Sequence, residues 1–237
     1  LSLGADVNSI RLDERRRLMD RFAQHLPGGE MGGFQARAFD LLTSPETRRA
    51  FQLDREPVAV REAYGRNVYG QSVLLARRLI EAGTRVACIS WAPDANATWD
   101  THGNNFKSLK ATLLPQLDLA ASALLSDLHQ RGRLQRTLVA IMGEFGRTPK
   151  VNAGAGRDHW NFCYSLMLAG GGIRAGSVYG ASDRIGAHPS SSPVRPADII
   201  ATIYRCMGLG SDHEFRDRLG RPFPLVPWGD AVPELLA

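Results

Sequence analysis

The sequence predicts an α/β protein whose core is a mainly parallel sheet covered by helices, with an α-helical segment ahead of it. Three observations carry this expectation. Apolar residues recur at helical spacing as far as Gly83. Short apolar runs of strand type then alternate with further helical stretches. One of these runs, Thr137-Leu138-Val139-Ala140-Ile141-Met142, is apolar on both faces, as a strand covered by helices on each side would be.

The division expected from these patterns is a helical leader over 1–83, packing on the core, and an α/β part over 84–237. In the leader, Leu12 and Leu18-Met19 open an amphipathic pattern that stops near Pro27-Gly28-Gly29. A second helix is expected over 34–42. Ser44 offers an N-cap oxygen and Pro45 a preset φ for a third. Val73-Leu74-Leu75, Leu79 and Ile80 share one side of a helix over 71–82, which Gly83 is placed to end in a left-handed conformation.

Beyond it, Arg85 to Trp91 forms a first strand-type run. Leu117, Ala120-Ala121, Leu124-Leu125 and Leu128 mark a helix over 115–131, closed by Gly132. Strands are expected over 137–142 and 164–169, and a helix over 196–207. Two long loops, 92–105 and 143–161, each follow the carboxyl end of an expected strand, where open α/β sheets bind ligands. Loops of that length are uncommon without a role.

Composition bounds the function. The chain has 237 residues, 43% of them hydrophobic and 22% charged, which suits a globular protein. No apolar run approaches the ~18 residues a membrane span needs, so no membrane span is expected. The net charge of +5 comes largely from arginines such as Arg15-Arg16-Arg17 and Arg77-Arg78. These are scattered over helical stretches, so they read as a solvated face and no nucleic-acid partner is expected. Cys88, Cys163 and Cys206 lie in apolar surroundings without paired spacing and imply neither a disulfide framework nor a thiolate metal site. The chain opens on Leu1 rather than Met, which suggests a processed or partial chain.

The residues suited to chemistry collect in the two loops. Asp100 and His102, in Trp99-Asp100-Thr101-His102-Gly103, offer the oxygen and nitrogen ligands that zinc and similar ions take, although such a pair is also common in ordinary turns. Glu144 follows the second expected strand, and Arg147 is either its ion-pair partner or a bidentate grip for a tetrahedral oxyanion. His159 precedes the third strand in Gly156-Arg157-Asp158-His159-Trp160. Asp100, His102 and His159 together make a three-ligand set with an open position, the pattern of a catalytic metal site. Asp158 is a candidate for orienting His159 from outside the ligand set. His25 and His129 read as surface histidines, His188 as a residue of the rim at most, and His213 has no evident partner in the sequence. Gly170-Gly171-Gly172 lacks the Lys-Ser/Thr of a phosphate loop and reads as a tight turn.

These motifs resemble the C-terminal half of alkaline-phosphatase-like hydrolases, a superfamily of phosphatases, sulfatases and cofactor-independent phosphoglycerate mutases. A closer resemblance is to the domain-of-unknown-function 1501 family. It rests on Gly70-Gln71-Ser72, Ala76-Arg77-Arg78-Leu79, Trp99-Asp100-Thr101-His102, the run from Gly143 to Pro149, and Gly156-Arg157-Asp158-His159-Trp160. The resemblance implies hydrolysis of a small anionic ester, phosphate or sulfate, with Asp100, His102, His159 and Glu144 as metal ligands and Arg147 on the substrate oxygens. The implied cofactor is a divalent metal, zinc first, with calcium, manganese or magnesium as alternatives. It also implies an exported protein. Two departures stand out. Glu144-Phe145 occupies the place where metallophosphatases carry Asp-His, and Phe cannot ligate a metal. The superfamily's nucleophile follows an early strand that nothing in 1–85 supplies, so the nucleophile is unassigned and expected in a longer protein. A non-catalytic binding or scaffold protein is the alternative.

Overall fold

A computed structural model of the chain describes residues 9–23, 39, 44–91 and 99–237. The helix expected over 34–42 and His25 lie outside the described residues, Phe39 excepted. The chain forms two compact units: Leu1–Trp91 with Gln116–Leu124, and Ala92–Pro115 with Leu125–Ala237.

Among its described residues the first unit is helical. It holds α1 (Ser9–Ala23), α2 (Pro45–Ala50), α3 (Val58–Ala63) and α4 (Val68–Glu81). Local chemistry sets their starts. Ser44 Oγ accepts from the Thr47 amide at 3.2 Å, with Pro45 at the first helical position. Asn67 Oδ1 accepts from the Gly70 amide at 2.9 Å to open α4. Gly70 has no room for a side chain, because a Cβ there would lie 1.9 Å from the Tyr64 carbonyl oxygen. The core gathers Tyr64, Val73, Leu74 and Ala120, with Leu53, Val60, Ile89, Trp91 and Leu124 against it. Ala120 comes from α6 (Leu114–Gln130), which follows the short α5 (Asn105–Ser108) along the chain and whose residues 116–124 belong to this unit. Arg77, 2% exposed, is neutralised by Glu56 at 3.0 Å and Glu81 at 2.5 Å. A buried guanidinium requires such pairing.

The run from Arg85 to Trp91, expected as a strand, joins no sheet. Its apolar side chains Ile89 and Trp91 are spent on the helical core instead, and the Trp91 ring stacks on Tyr69 with centroids 4.6 Å apart.

The second unit corrects the expected sheet. Its described strands form two-stranded antiparallel pairs, not a mainly parallel core. These are β1 (Leu138–Ile141) with β4 (Met167–Gly170), β2 (Gly146–Arg147) with β3 (His159–Trp160), β5 (Ala181–Ser182) with β6 (Pro189–Ser191), and β7 (Glu214–Arg216) with β8 (Pro222–Pro224). The physical reason lies in the connections. A parallel pair needs a crossover, usually a helix, and 142–166 contains none. The chain therefore returns beside β1 in the opposite sense, with Leu138 opposite Gly170 and Ile141 opposite Met167. Apolarity on both faces of β1 does not mark burial on both sides, since its residues are half-buried or exposed. Gly170-Gly171-Gly172 is the tight turn expected, all three at positive φ.

The last helix, α7 (Pro196–Cys206), is fixed at both ends of its buried face. Asp198 accepts from the Arg195 amide at 2.8 Å and pairs with the Arg195 guanidinium. Thr202, fully buried, donates to the Asp198 carbonyl and accepts from the Val232 amide at 3.0 Å. No helix among the described residues is long and apolar enough to cross a membrane.

Candidate metal centre

The site lies wholly within the second unit, where two segments are zipped together through their backbones. One is the loop around Asp100 to Asn105; the other is the β2–β3 ribbon with its intervening loop. The Asn104 amide donates to Gly154 O at 2.9 Å, the Asn105 amide to Ala155 O at 2.9 Å, and the Arg157 amide to Thr101 O at 3.0 Å. Glycine makes this approach possible. A Cβ on Gly156 would sit 1.8 Å from the His102 carbonyl oxygen; on the ribbon's own side, one on Gly146 would sit 2.1 Å from the Cys163 carbonyl oxygen.

The ribbon then aims the functional side chains. Arg147 and His159 are opposite one another in the β2–β3 register, so they share a face. His159 Nε2 lies 2.9 Å from Asp100 Oδ1 and 3.2 Å from His102 Nε2, and His102 Nε2 lies 3.1 Å from Asp100 Oδ1. The structure thus brings Asp100, His102 and His159 into one triangle of potential ligands, each side chain about half exposed. These spacings fit a single cation, because ligands bonded at about 2.0–2.2 Å to one ion sit roughly this far apart.

Arg147 points into the same place but is already engaged. Its Nη2 donates to Asp100 Oδ1 at 2.6 Å and to the Trp99 carbonyl at 3.1 Å, and its Nη1 donates to the Arg157 carbonyl at 3.2 Å. The hydrogen bond from His159, then the hydrogen bond and charge of Arg147, hold the Asp100 carboxyl down to about 2. Asp100 therefore stays ionised across the working pH range.

Asp158 faces His102, not its neighbour His159: its Oδ1 accepts from His102 Nδ1 at 2.8 Å. Adjacent residues along an extended chain point to opposite sides, so the nearer histidine in sequence is the one Asp158 cannot reach well. The hydrogen bond with His102, then that with Asn152, holds the Asp158 carboxyl below its ordinary value. A carboxylate only accepts, so His102 carries its proton on Nδ1 in the neutral ring and its Nε2 presents a lone pair.

Glu144 is exposed and does not join the triangle. Phe145 instead packs its ring on His159, with centroids 4.4 Å apart. His188 lies in a different cluster, with Trp160 and Phe162 at 5.7 and 5.1 Å between centroids. Sequence reasoning missed Asn152, Thr148 and the steric demand at Gly156. The run Asn152-Ala153-Gly154-Ala155-Gly156 signals a turn, but nothing local says what its amide side chain touches.

The family model described as "Protein of unknown function (DUF1501)" matches residues 8–236. No curated protein matches the chain, and no solved structure does. Because the match takes in nearly the whole chain and every residue of the Asp100–His102–His159 triangle, the protein belongs to that family.

Proposed function

We propose that this protein is a divalent-metal-dependent hydrolase of small phosphate or sulfate esters, with Asp100, His102 and His159 holding the ion. The observation that carries the reading is the convergence of one carboxylate oxygen and two imidazole nitrogens within 4.8 Å of one another, on a loop and a short β-ribbon open to solvent. Zinc suits this nitrogen and oxygen set, and manganese, magnesium and calcium are the alternatives to be compared with it. When bound, such an ion polarises an ester oxygen and lowers the pKa of a coordinated water.

The chain's own residues would supply the rest. Asp158 holds the His102 ring with Nε2 free of its proton. Arg147 places a positive charge beside Asp100, where a phosphate or sulfate oxygen approaching the open side would meet it. Glu144 takes no part in this reading, and no nucleophile is assigned. The motifs support a kinship with alkaline-phosphatase-like hydrolases in site chemistry, and with it an exported protein.

A second reading, a non-catalytic binding or scaffold protein, is favoured by two contacts. The Phe145 ring occupies the flank of His159, and the Arg147 guanidinium is turned onto Asp100, Trp99 and Arg157. Calorimetric zinc titration followed by an ester screen separates the two. Zinc binding weakened at least tenfold by His159→Ala, with phosphate or sulfate ester turnover abolished by Asp100→Asn, supports the hydrolase. Binding without turnover supports the scaffold. Equal zinc binding by wild type and His159→Ala removes the site.

A further inference from the structure

We propose that Asn152 is a positioning residue of this centre, fixing the His102 ring as the Nδ1–H tautomer by clamping Asp158 and the His102 backbone together; the inference rests on the metal-site reading above.

Asn152 is the hub of the loop between β2 and β3. Its Nδ2 donates to the His102 carbonyl at 2.9 Å and to Asp158 Oδ1 at 3.1 Å. Its Oδ1 accepts from the amides of Gly154 at 3.0 Å and Gly156 at 2.9 Å. This partner set fixes which end of the side chain is which. Two backbone N–H donors require the oxygen on one side, and two acceptors require the NH2 on the other, so a flipped amide would lose all four bonds.

The consequence reaches the site through Asp158. Asp158 Oδ1 takes hydrogen bonds from both Asn152 Nδ2 and His102 Nδ1. Its backbone is pinned separately, the Asp158 amide donating to Thr148 Oγ1 at 3.1 Å and the Thr148 amide to the Asp158 carbonyl at 2.9 Å. The carboxylate oxygen is thus held in place by a donor that never titrates, and that oxygen dictates where the imidazole proton sits. One side chain therefore sets both the height of the His102 backbone and the tautomer of its ring. Partners of this kind orient a ligand without touching the ion.

The test uses two variants of the whole chain. Asn152→Ala removes all four bonds. Asn152→Asp keeps the oxygen that accepts from Gly154 and Gly156 but replaces the donating NH2 with an oxygen beside Asp158, so the turn survives when the alanine variant does not fold. Two-bond proton–nitrogen correlation spectra of the metal-free protein report the His102 tautomer directly. Wild type is expected to show the Nδ1–H form, and both variants a mixed or Nε2–H population. Zinc affinity is expected to fall about tenfold or more in each variant, the range typical of outer-shell partners. A purely structural asparagine would lower thermal stability and leave the tautomer as it was. An unchanged His102 tautomer in folded Asn152→Asp overturns the proposal. A shifted tautomer in a protein that binds no zinc sustains the role of Asn152 and overturns the metal reading alone.

Discussion

The Arg147 guanidinium donates to Asp100 Oδ1 at 2.6 Å, on the same carboxylate oxygen that lies 2.9 Å from His159 Nε2. One oxygen thus faces a permanent cation from β2 and the ring that would share a metal ion with it. Arg147 both steadies Asp100 and repels any dication that approaches. For Arg147→Gln, which keeps an amide donor but removes the charge, zinc affinity is expected to rise about three- to tenfold. Exposed charges a few ångströms apart interact by about 1 kcal/mol. The gain should shrink as salt is added. Calorimetry at two ionic strengths checks this, and a weaker affinity would mean that Arg147 acts by holding the Trp99–Asp100 backbone instead.

Gly156 is expected to be intolerant of any side chain. A Cβ would lie 1.8 Å from the His102 carbonyl oxygen and 2.5 Å from the Gly103 amide nitrogen, so the two loops must separate. Gly156→Ala should abolish zinc binding while leaving the far-ultraviolet circular dichroism of the helices intact. Retention of wild-type affinity would show that the zipped loops can give way without moving His102.

Asp198 makes a pH-dependent contribution to stability. The Arg195 guanidinium's hydrogen bond, then the Arg195 and Asp230 backbone amides, hold its carboxyl at about 2, below its ordinary value of 3.8. A depressed carboxyl stabilises the fold above its unfolded pKa, and that stability drains away as pH falls from about 4 toward 2. Asp198→Asn should cost about 1–2 kcal/mol at neutral pH, in the range of a lost helix cap and charge pair. It should also flatten the decline over that acid window. Urea melts at pH 7, 4 and 2.5 read both effects.

Thr202 should be sensitive for a different reason. Its hydroxyl is the acceptor for the Val232 amide in a buried setting, at 3.0 Å. Thr202→Val keeps the shape but strands that N–H, and an unpartnered buried donor costs about 1–3 kcal/mol. Thr202→Ser should recover most of the loss. Equal stability of the valine and serine variants in thermal melts would show that the hydroxyl is dispensable.

The sequence by itself determined the features set within a few residues of one another. Ser44 followed by Pro45 marks where α2 begins, and the apolar spacing of Val73, Leu74 and Ile80 marks α4. The clustering of Asp100, His102 and His159 as candidates was legible because carboxylates and imidazoles collect in segments that follow apolar runs. Tertiary structure alone decided the pairing of β1 with β4, because strand direction depends on whether the intervening chain supplies a crossover, and 142–166 supplies none. It also decided that Asp158 serves His102 across 56 positions rather than the adjacent His159, and that Asn152 clamps the two. Caps and periodicity are local balances of hydrogen bonding and burial, readable from neighbours in the chain. Which donor meets which acceptor across two loops depends on how closely their backbones approach, and here Gly156 sets that approach.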